Sequence, residues 1–180
     1  MAKPSKEQVL LLDELRDFVI DVMRDMPEWL DAKVERLRTI PLGVLRRNAT
    51  QRHGVTRWRQ GVDLHSLGPE DVEVIDIHPK MLNPQWKAYS AFVLHHEYIH
   101  ALGLRAHNAL FRKFELAWPG RTAGKHGVQF TEHLRLEKAI WLWCCPECGQ
   151  EFPRQKPSRR KYRCRKCNTT LLDKKNPNIA

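Results

Sequence analysis

Two pairs of cysteines constrain the fold of this chain more than any other feature of its sequence. Cys145 and Cys148 form the first pair, and Cys164 and Cys167 form the second, with fifteen residues between the pairs. This spacing is typical of a structural zinc site, in which four thiolates fill the coordination shell of the ion. A unit of this size buries too little apolar surface to fold without such a crosslink. We therefore predict a four-cysteine zinc ribbon over residues 141–175, with one structural Zn2+.

The expected compartment favours zinc over disulfides as the role of these cysteines. The chain starts with the polar residues MAKPSKEQ and contains no apolar run long enough for a signal peptide or a membrane-spanning helix. We therefore expect a cytoplasmic protein with no membrane partner, or one associated with the nucleoid or chromatin. Disulfides are rare in the cytosol. Cys144, which stands outside the two pairs, is expected to be a packed thiol.

A second constraint is the HExxH motif of residues 96–100, which lies in a stretch with the apolar spacing of a helix. On a helix, His96 and His100 stand one turn apart on the same face and can bind one zinc ion. Glu97 then lies beside the metal, where a carboxylate can accept a proton from water that the metal polarises. The motif thus predicts a catalytic zinc centre with Glu97 as the general base.

A hydrolytic zinc centre usually has a third protein ligand, and the sequence offers several candidates. His107 follows a turn that Gly103 permits, and His126 comes after a longer loop; each is followed four residues later by a phenylalanine that could anchor it. The shorter loop costs less closure entropy, which favours His107 and leaves His126 as the alternative. Glu115 and Glu132 are the remaining candidates.

Hydrophobic periodicity predicts an α+β protein made of helices and a small sheet. Helical spacing occurs over residues 7–26, 29–41, 85–104, 108–118 and 127–142, and strand patterns occur over 54–61 and 72–77. We place a domain of helices and a small sheet at 1–140, the ribbon at 141–175 and a frayed tail at 176–180. His78, which directly follows the second strand, is a candidate for approaching a substrate.

The positive charge of the chain is concentrated in two segments. The net charge is +10, and nearly all of the excess lies in residues 41–60 and 151–180. Focused positive charge attracts polyanions, of which nucleic acid is the commonest. We therefore predict a nucleic-acid partner, with DNA favoured, that contacts the arginine-rich residues 46–59 and the ribbon. The ribbon residues predicted to bind it, interleaved with the aromatic residues Phe152 and Tyr162, are Arg154, Arg159, Arg160, Lys161, Arg163 and Arg165.

Together these motifs resemble the SprT-like zinc metalloprotease family, which includes the Spartan-related proteases of DNA–protein crosslinks. VEVIDIHPKML and AYSAFVLHHEYIHALG resemble the family's strand and metal-binding helix, and WLWCCPECG with YRCRKC resembles its zinc ribbon. GKHGVQF is similar to the family's HGxxF or HGxxW motif, which would make His126 the third ligand. HNALF instead resembles the related WLM group of metalloproteases, which would assign His107. The resemblance implies a minimal zincin-like fold, Glu97 as the general base and cleavage of peptide bonds in proteins held near DNA.

The sequence supports three functional hypotheses. The first is a zinc metalloendopeptidase that docks on nucleic acid and cleaves bound proteins, including DNA–protein crosslinks, with residues 72–77 aligning the peptide as an edge strand. The alternative is a nucleic-acid-binding or transcription-associated zinc-ribbon protein whose zincin domain is structural or weakly active. The third is zinc-dependent hydrolysis of a non-peptide substrate, which the HExxH motif favours less. Nothing in the sequence predicts an oligomeric state.

Overall fold

The predicted α+β class is confirmed by a computed structural model that describes residues 2–29, 33–120 and 123–177. The helices are α1 Lys6–Arg24, α2 Lys33–Arg36, α3 Lys87–Ala101, α4 Ala109–Leu116 and α5 Ala123–Lys138. The strands are β1 Leu42–Val44, β2 Gly54–Trp58, β3 Val72–Ile77, β4 Trp141–Cys144, β5 Glu151–Arg154 and β6 Leu172–Lys175. Short 3-10 turns occur at Pro27–Trp29, Leu37–Thr39, Pro69–Asp71, Pro79–Leu82 and Pro84–Trp86. Within the described ranges, every helix is too short or too polar to cross a bilayer.

The α1 helix begins at a capping box and buries one face. The Ser5 hydroxyl accepts a hydrogen bond from the main-chain N–H of Gln8 at 3.2 Å, and the Gln8 side chain accepts one from Ser5 N–H at 2.9 Å. Two amide groups that the first helical turn would leave unpaired are thereby satisfied. The apolar spacing over residues 7–26 is confirmed as a buried stripe. Its members are Leu12, Leu15, Val19, Ile20 and Met23.

The helix predicted over residues 29–41 is broken into short pieces. A 3-10 turn precedes α2, a second one follows it, and residues 30–32 lie outside the described part of the chain. Val34 and Leu37 are nevertheless buried, as their apolar spacing predicts. Pro27 and Pro41 bracket the segment, so a helix cannot continue through either end of it without interruption.

The first sheet has the order β1-β3-β2, with β1 parallel and β2 antiparallel to β3. The predicted strand at residues 72–77 is confirmed as β3, but the expectation that it is an edge strand is wrong. β3 is the central strand, and Ile75, Asp76 and Ile77 are buried in succession, as in a strand covered on both faces. The sequence missed β1 because three residues are too few to show a strand period.

The α3 helix lies over this sheet and positions the HExxH motif. It packs against α1, β2 and β3, and most of its residues are buried. The 3-10 turns at Pro79–Leu82 and Pro84–Trp86 lead from the central strand into it, and each turn begins at a proline, whose φ angle is already suited to a helical start. The predicted helix at 85–104 is therefore confirmed with slightly shorter ends.

The ribbon is a second three-stranded sheet, with the order β5-β4-β6 and antiparallel pairing throughout. The predicted helix at 127–142 is wrong at its end: α5 stops at Lys138, and Trp141 begins β4. The aromatic run Trp141–Cys144 favours a strand because large side chains pack well on a pleated surface. The two cysteine turns are alike, since Gly149 and Asn168, which follow each pair, both adopt positive φ angles of 69° and 55°.

The chain divides into two compact units, Met1–His126 and Gly127–Ala180. The boundary that the sequence placed at residue 140 stays a prediction, because α5 begins in the first unit and continues into the second. A frayed tail was expected over 176–180. Asn176 is buried and donates hydrogen bonds to the carbonyl oxygens of Leu136 and Ala139, whereas residues 178–180 lie outside the described residues.

Candidate active site and metal centres

Two histidines of α3 face the same cleft, one helical turn apart. The ring centroids of His96 and His100 are 4.9 Å apart, and both side chains are half-buried. Between them, Tyr98 and Ile99 are fully buried and fix the helix against the rest of the unit. The i, i+4 spacing therefore gives the shared face that the HExxH motif predicts.

His107 completes a cluster of three histidines. After α3, Gly103 turns the chain with a φ of 99°, a left-handed conformation that glycine adopts without strain. The turn brings Nε2 of His107 to 3.1 Å from Nε2 of His100. One ligand nitrogen from each of the three residues lies within 4.8 Å of the other two. The buried ring of Phe111 packs against all three imidazoles, at centroid distances of 4.6 to 4.9 Å.

Neither His126 nor Glu132 belongs to the cluster. His126 lines a small apolar pocket with Phe18 and Trp118, and it is not part of the cluster found among the described residues. Glu132 is exposed on α5, in the second unit. The geometry thus favours His107, which the shorter loop also favours, over the histidine that the SprT-like motif indicates. The assignment of a metal to this cluster stays a prediction.

Two acceptors fix which nitrogen of each α3 histidine faces the cleft. Nδ1 of His100 lies 2.8 Å from the carbonyl oxygen of Leu104, and Nδ1 of His96 lies 2.7 Å from a carboxylate oxygen of Glu115. Carbonyl and carboxylate oxygens accept hydrogen bonds, so each Nδ1 carries the proton and each Nε2 keeps a lone pair. Outer contacts of this kind orient histidine ligands in zinc proteins. The structure therefore places Glu115 behind His96, as its orienting partner.

Burial keeps these two imidazoles neutral. It lowers the pKa of His100 to about 4, and it also lowers the pKa of His96, although the hydrogen bond to Glu115 opposes that shift. Burial alone would raise the pKa of Glu115, but the hydrogen bonds from His96 and Arg112 outweigh it and lower the pKa. Neutral imidazoles beside an ionised carboxylate are the protonation states in which histidine binds zinc.

Glu97 lies beside the cluster in an almost buried position. Only 6% of the residue is exposed, and burial raises the pKa of its carboxyl group to about 7. Hydrogen bonds from the Thr56 hydroxyl, whose Oγ1 lies 2.8 Å from Oε2, and from the main chain of Thr56 oppose this shift. A carboxyl group with a pKa near neutral pH suits proton transfer in both directions.

The cleft in front of the histidines has a volume of about 330 Å3. Besides the three histidines and Glu97, its walls include Gly54, Thr56 and Trp58 of β2 and the guanidinium groups of Arg52 and Arg105. Neither arginine forms an ion pair with another described residue. The cleft therefore combines three imidazoles, one enclosed carboxyl group and two arginines.

The structure places His78 in the core and not at the cleft, which corrects the suggestion that it approaches substrate. His78 is fully buried, with Nε2 3.1 Å from the carbonyl oxygen of Ala49 and Nδ1 accepting a hydrogen bond from Lys80 N–H. Conversely, sequence reasoning did not single out Thr56 or Arg105. Their places at the cleft depend on contacts between segments distant in sequence, for which the local pattern carries no signal.

The four predicted zinc-binding cysteines lie together in the second unit. Their Sγ atoms are within 4.8 Å of one another, and Cys145 and Cys164 are buried. Main-chain N–H groups of Cys167 and Lys166 lower the pKa of the Cys164 thiol to about 7, which favours the thiolate that zinc binds. Four such sulfurs fit a structural zinc ion with a closed shell. Cys144 is half-buried outside this cluster, in agreement with a packed thiol.

The ribbon also exposes cations next to stacked aromatic rings. Arg154 lies over the ring of Trp143 at 4.9 Å, and Trp143 stacks on Tyr162 at 4.4 Å, with their planes 20° apart. Tyr162 is 51% exposed. All six cations that the sequence predicts to bind nucleic acid are exposed and form no ion pair with a described residue. They are Arg154, Arg159, Arg160, Lys161, Arg163 and Arg165.

The arginine-rich residues 46–59 divide into two groups. Arg57 pairs with the buried carboxylate of Asp76 at 2.8 Å, and Arg59 donates a hydrogen bond to the carbonyl oxygen of Glu70, so both hold the first unit together. The remaining three are exposed and form no ion pair within the described ranges. They are Arg46, Arg47 and Arg52. The patch available to an anionic partner is therefore smaller than the sequence suggests.

Comparisons with known proteins support the resemblance to the SprT-like family. Residues 140–176 match the family model of the SprT-like zinc ribbon domain. A protein of Lactococcus lactis subsp. lactis (strain IL1403) named Protein SprT-like is 30% identical over 116 residues, which cover 61% of this chain and 72% of that protein. Another of the same name, from Streptococcus equi subsp. zooepidemicus (strain H70), is 26% identical over 101 residues, or 56% of this chain and 69% of that protein. No solved structure matches the chain significantly.

Proposed function

The chain belongs to the SprT-like family, and from this premise we propose that it is a zinc-dependent metalloendopeptidase whose active site is the cleft at His96, Glu97, His100 and His107. One observation carries the proposal. Three imidazole nitrogens lie within 4.8 Å of one another, beside a buried carboxyl group, in a cleft large enough for a peptide segment. Three imidazole ligands leave a coordination position open, as in catalytic zinc sites.

The residues present fit a catalytic zinc ion, which would be the second zinc of the protein after that of the ribbon. His96 and His100 each direct an Nε2 lone pair toward the shared space, because their Nδ1 atoms are engaged by Glu115 and by the carbonyl oxygen of Leu104. The third ligand would be His107. When bound, zinc acts as a Lewis acid and lowers the pKa of a coordinated water toward about 7.

Glu97 would act as the general base and then as the general acid. Its carboxylate accepts a proton from the attacking water as the oxygen bonds to the carbonyl carbon of the scissile peptide. It then delivers this proton to the departing nitrogen as the carbon–nitrogen bond breaks, so the carboxylate is regenerated. Burial, which raises the pKa of Glu97 to about 7, suits it to both roles near neutral pH.

Strand β2 would align the substrate, in place of the strand that the sequence favoured. β2 is the edge of the sheet on the cleft side, and Gly54, Thr56 and Trp58 line the cleft. An extended peptide can add to such an edge through main-chain hydrogen bonds. This mode of binding selects for unfolded segments more than for particular side chains.

Nucleic acid, with DNA favoured, would be the partner that brings substrates to the enzyme. The supporting features are the exposed cations of the ribbon beside the Trp143–Tyr162 stack and the three free arginines at residues 46–52. Phosphate contacts and base stacking together suit single-stranded nucleic acid. The substrates would then be proteins bound to nucleic acid, including DNA–protein crosslinks.

Glu97→Gln tests the proposal, with Glu132→Gln as its matched control on an exposed helix position. We expect the native chain to hold two zinc ions and to cleave a DNA-binding protein faster when single-stranded DNA is present. Glu97→Gln should keep both ions and lose cleavage, because the amide cannot accept the proton. Glu132→Gln should behave like the native chain. Undiminished cleavage by Glu97→Gln would refute the assignment of the general base.

A nucleic-acid-binding protein without peptidase activity is the second candidate, and the aromatic and cationic surface of the ribbon favours it. Under this function the native chain would retain zinc at the cysteines alone, bind DNA or RNA and cleave nothing. Cys164→Ser would abolish nucleic-acid binding, whereas Glu97→Gln would leave it unchanged. The same preparations and the zinc stoichiometry therefore distinguish the two functions.

A further inference from the structure

Two residues of β2 enclose the carboxyl group of Glu97 from the side of the strand. Gly54 and Thr56 are two positions apart, so they lie on the same face of β2, and this face is turned toward α3. Neither residue belongs to the HExxH motif. Thr56 contacts one oxygen of the carboxyl group, and the other oxygen occupies space that a side chain at residue 54 would fill.

Thr56 binds Glu97 at two points. Its Oγ1 lies 2.8 Å from Oε2 and 3.1 Å from the main-chain oxygen of the same residue. Both distances are within hydrogen-bond range; Thr56 is half-buried, and Glu97 is buried. A hydroxyl tied to the backbone of Glu97 as well as to its side chain restricts the torsions that connect the two.

Residue 54 requires glycine because a side chain has no space there, and not because of its backbone conformation. Its φ angle is not in the left-handed region, so other residues could adopt the same backbone. A Cβ atom at this position would lie 2.8 Å from Oε1 of Glu97, 3.0 Å from its Cγ and 2.7 Å from Cγ1 of Val93. Contacts this close require atoms to move. Because residue 54 has no side chain, Oε1 of Glu97 can occupy this space.

We propose that Thr56 is a positioning residue for the general base, with Gly54 providing the space for the second carboxylate oxygen. Thr56 holds Oε2, and Oε1 occupies the space that a side chain at residue 54 would fill, so the carboxyl group has one orientation relative to the histidine cluster. Because β2 is also the strand proposed to align the peptide, base and substrate are positioned by the same element. The inference rests on the proposed function of Glu97.

The alternative role for Thr56 is purely structural, as a link between β2 and α3. Thr56→Val distinguishes the positioning role from the structural role, because valine keeps the shape and the strand preference of threonine but has no hydroxyl. Thr56→Ser restores the hydroxyl. Thr39→Val is the matched control, since the Thr39 hydroxyl also bonds a main-chain oxygen, that of Arg36, at an exposed site away from the cleft.

The measurements are kcat and KM on a peptide substrate, together with zinc content and the thermal unfolding midpoint. We expect Thr56→Val to lower kcat by about 10- to 100-fold with KM, zinc content and unfolding unchanged, because misplacing a reacting group costs rate. Thr56→Ser should recover most of the loss, and Thr39→Val should match the native chain. Gly54→Ala should lower kcat with the hydroxyl of Thr56 still present.

A spectroscopic readout makes the test independent of turnover. The side-chain carboxyl 13C resonance of Glu97, assigned by its loss in Glu97→Gln, should shift in Thr56→Val and return toward its native position in Thr56→Ser. If the native chain cleaves and Thr56→Val matches it in kcat and in this resonance, the inference is wrong and the proposed function stands. If the native chain shows no cleavage that depends on Glu97, the proposed function fails and this inference with it.

Discussion

The two ligand clusters of this protein differ in number, chemistry and surroundings. Four sulfurs in the ribbon and three imidazole nitrogens in the cleft each converge within 4.8 Å. Four thiolates close a tetrahedral shell, whereas three imidazole nitrogens leave a position for a reactant. Among the described residues, only the histidine cluster has a buried carboxyl group beside it, that of Glu97. Ligand number and neighbouring groups thus distinguish a structural centre from a candidate catalytic one.

The clusters also differ in what holds their ligands in place. His96 and His100 are on a helix whose buried residues belong to an extensive core, so that core positions them without an ion. The ribbon has three short strands and a small core, in which the buried members are Cys145, Cys164 and Leu171. Two of these three are ligands. In the ribbon the metal therefore contributes to folding, and in the cleft it would contribute to chemistry.

The largest expected effect is the loss of the ribbon when its zinc site is broken. Zinc binding contributes about 10–16 kcal/mol to the folding of small zinc domains. We therefore expect Cys164→Ser to unfold the sheet of β4, β5 and β6, while α3 and the first sheet remain folded. Amide hydrogen exchange, resolved by residue, measures both regions in the same sample.

Cys144→Ser is the matched control for this variant, because Cys144 neighbours Cys145 but lies outside the cluster. It should leave zinc content and exchange rates unchanged. Protection that persists in β4–β6 of zinc-free Cys164→Ser would show that the ribbon folds without metal, and the contrast between the two centres would disappear.

The same contrast explains which parts of the site could be predicted from sequence. The cysteine pairs and the histidines of α3 are local patterns. The short spacing within each cysteine turn, or of one turn along the helix, is enough to fix the geometry of each pair. The third histidine is not local: His107 and His126 both precede a phenylalanine by four residues, and only the folded path of the chain distinguishes them. Thr56 reaches Glu97 across 41 positions, so no spacing in the sequence reveals it.

Prediction of the fold from sequence is limited in the same way, to local patterns. The alternating run at residues 72–77 predicts a strand correctly, but its place in the sheet depends on β1, whose three residues carry no detectable period. Because β1 pairs with β3 on one side and β2 pairs on the other, Ile75 and Ile77 are buried on a central strand and not on an edge. The helix expected to reach residue 142 ends earlier because Trp141 and Trp143 pair into the ribbon sheet.

The next largest effect separates the two candidates for the third histidine ligand. His107→Ala should lower the zinc affinity of the cleft by more than the 10- to 100-fold that the loss of an outer-shell partner typically causes. His126→Ala should leave this affinity unchanged, because His126 is not part of the cluster. Competition with a zinc-binding dye in a Cys164→Ser background measures the cleft alone. A loss of affinity in His126→Ala with none in His107→Ala would reverse the assignment and restore the SprT-like motif as the better guide.

The smallest expected effect is the response of the cleft to pH. In the metal-free protein, burial lowers the pKa of His100 to about 4, so this imidazole is already neutral from pH 8 down to pH 6, and burial also lowers the pKa of His96. Zinc therefore displaces no proton from His100 over that range, and the lowered pKa of His96 reduces proton release there. In the ribbon, a hydrogen bond with Cys148 raises the pKa of Cys167 to about 12, so this thiol must lose a proton to bind zinc.

Lowering the pH from 8 to 6 should therefore weaken zinc binding at the ribbon by about tenfold per unit for each proton released, but at the cleft by less than about tenfold in total. Calorimetry in two buffers of different ionisation enthalpy counts the protons directly. The cleft is isolated by Cys164→Ser, and the ribbon by His96→Ala with His100→Ala. Equal proton release at the two sites would mean that the imidazoles are protonated before zinc binds, and the core would then not be what prepares the histidines for metal.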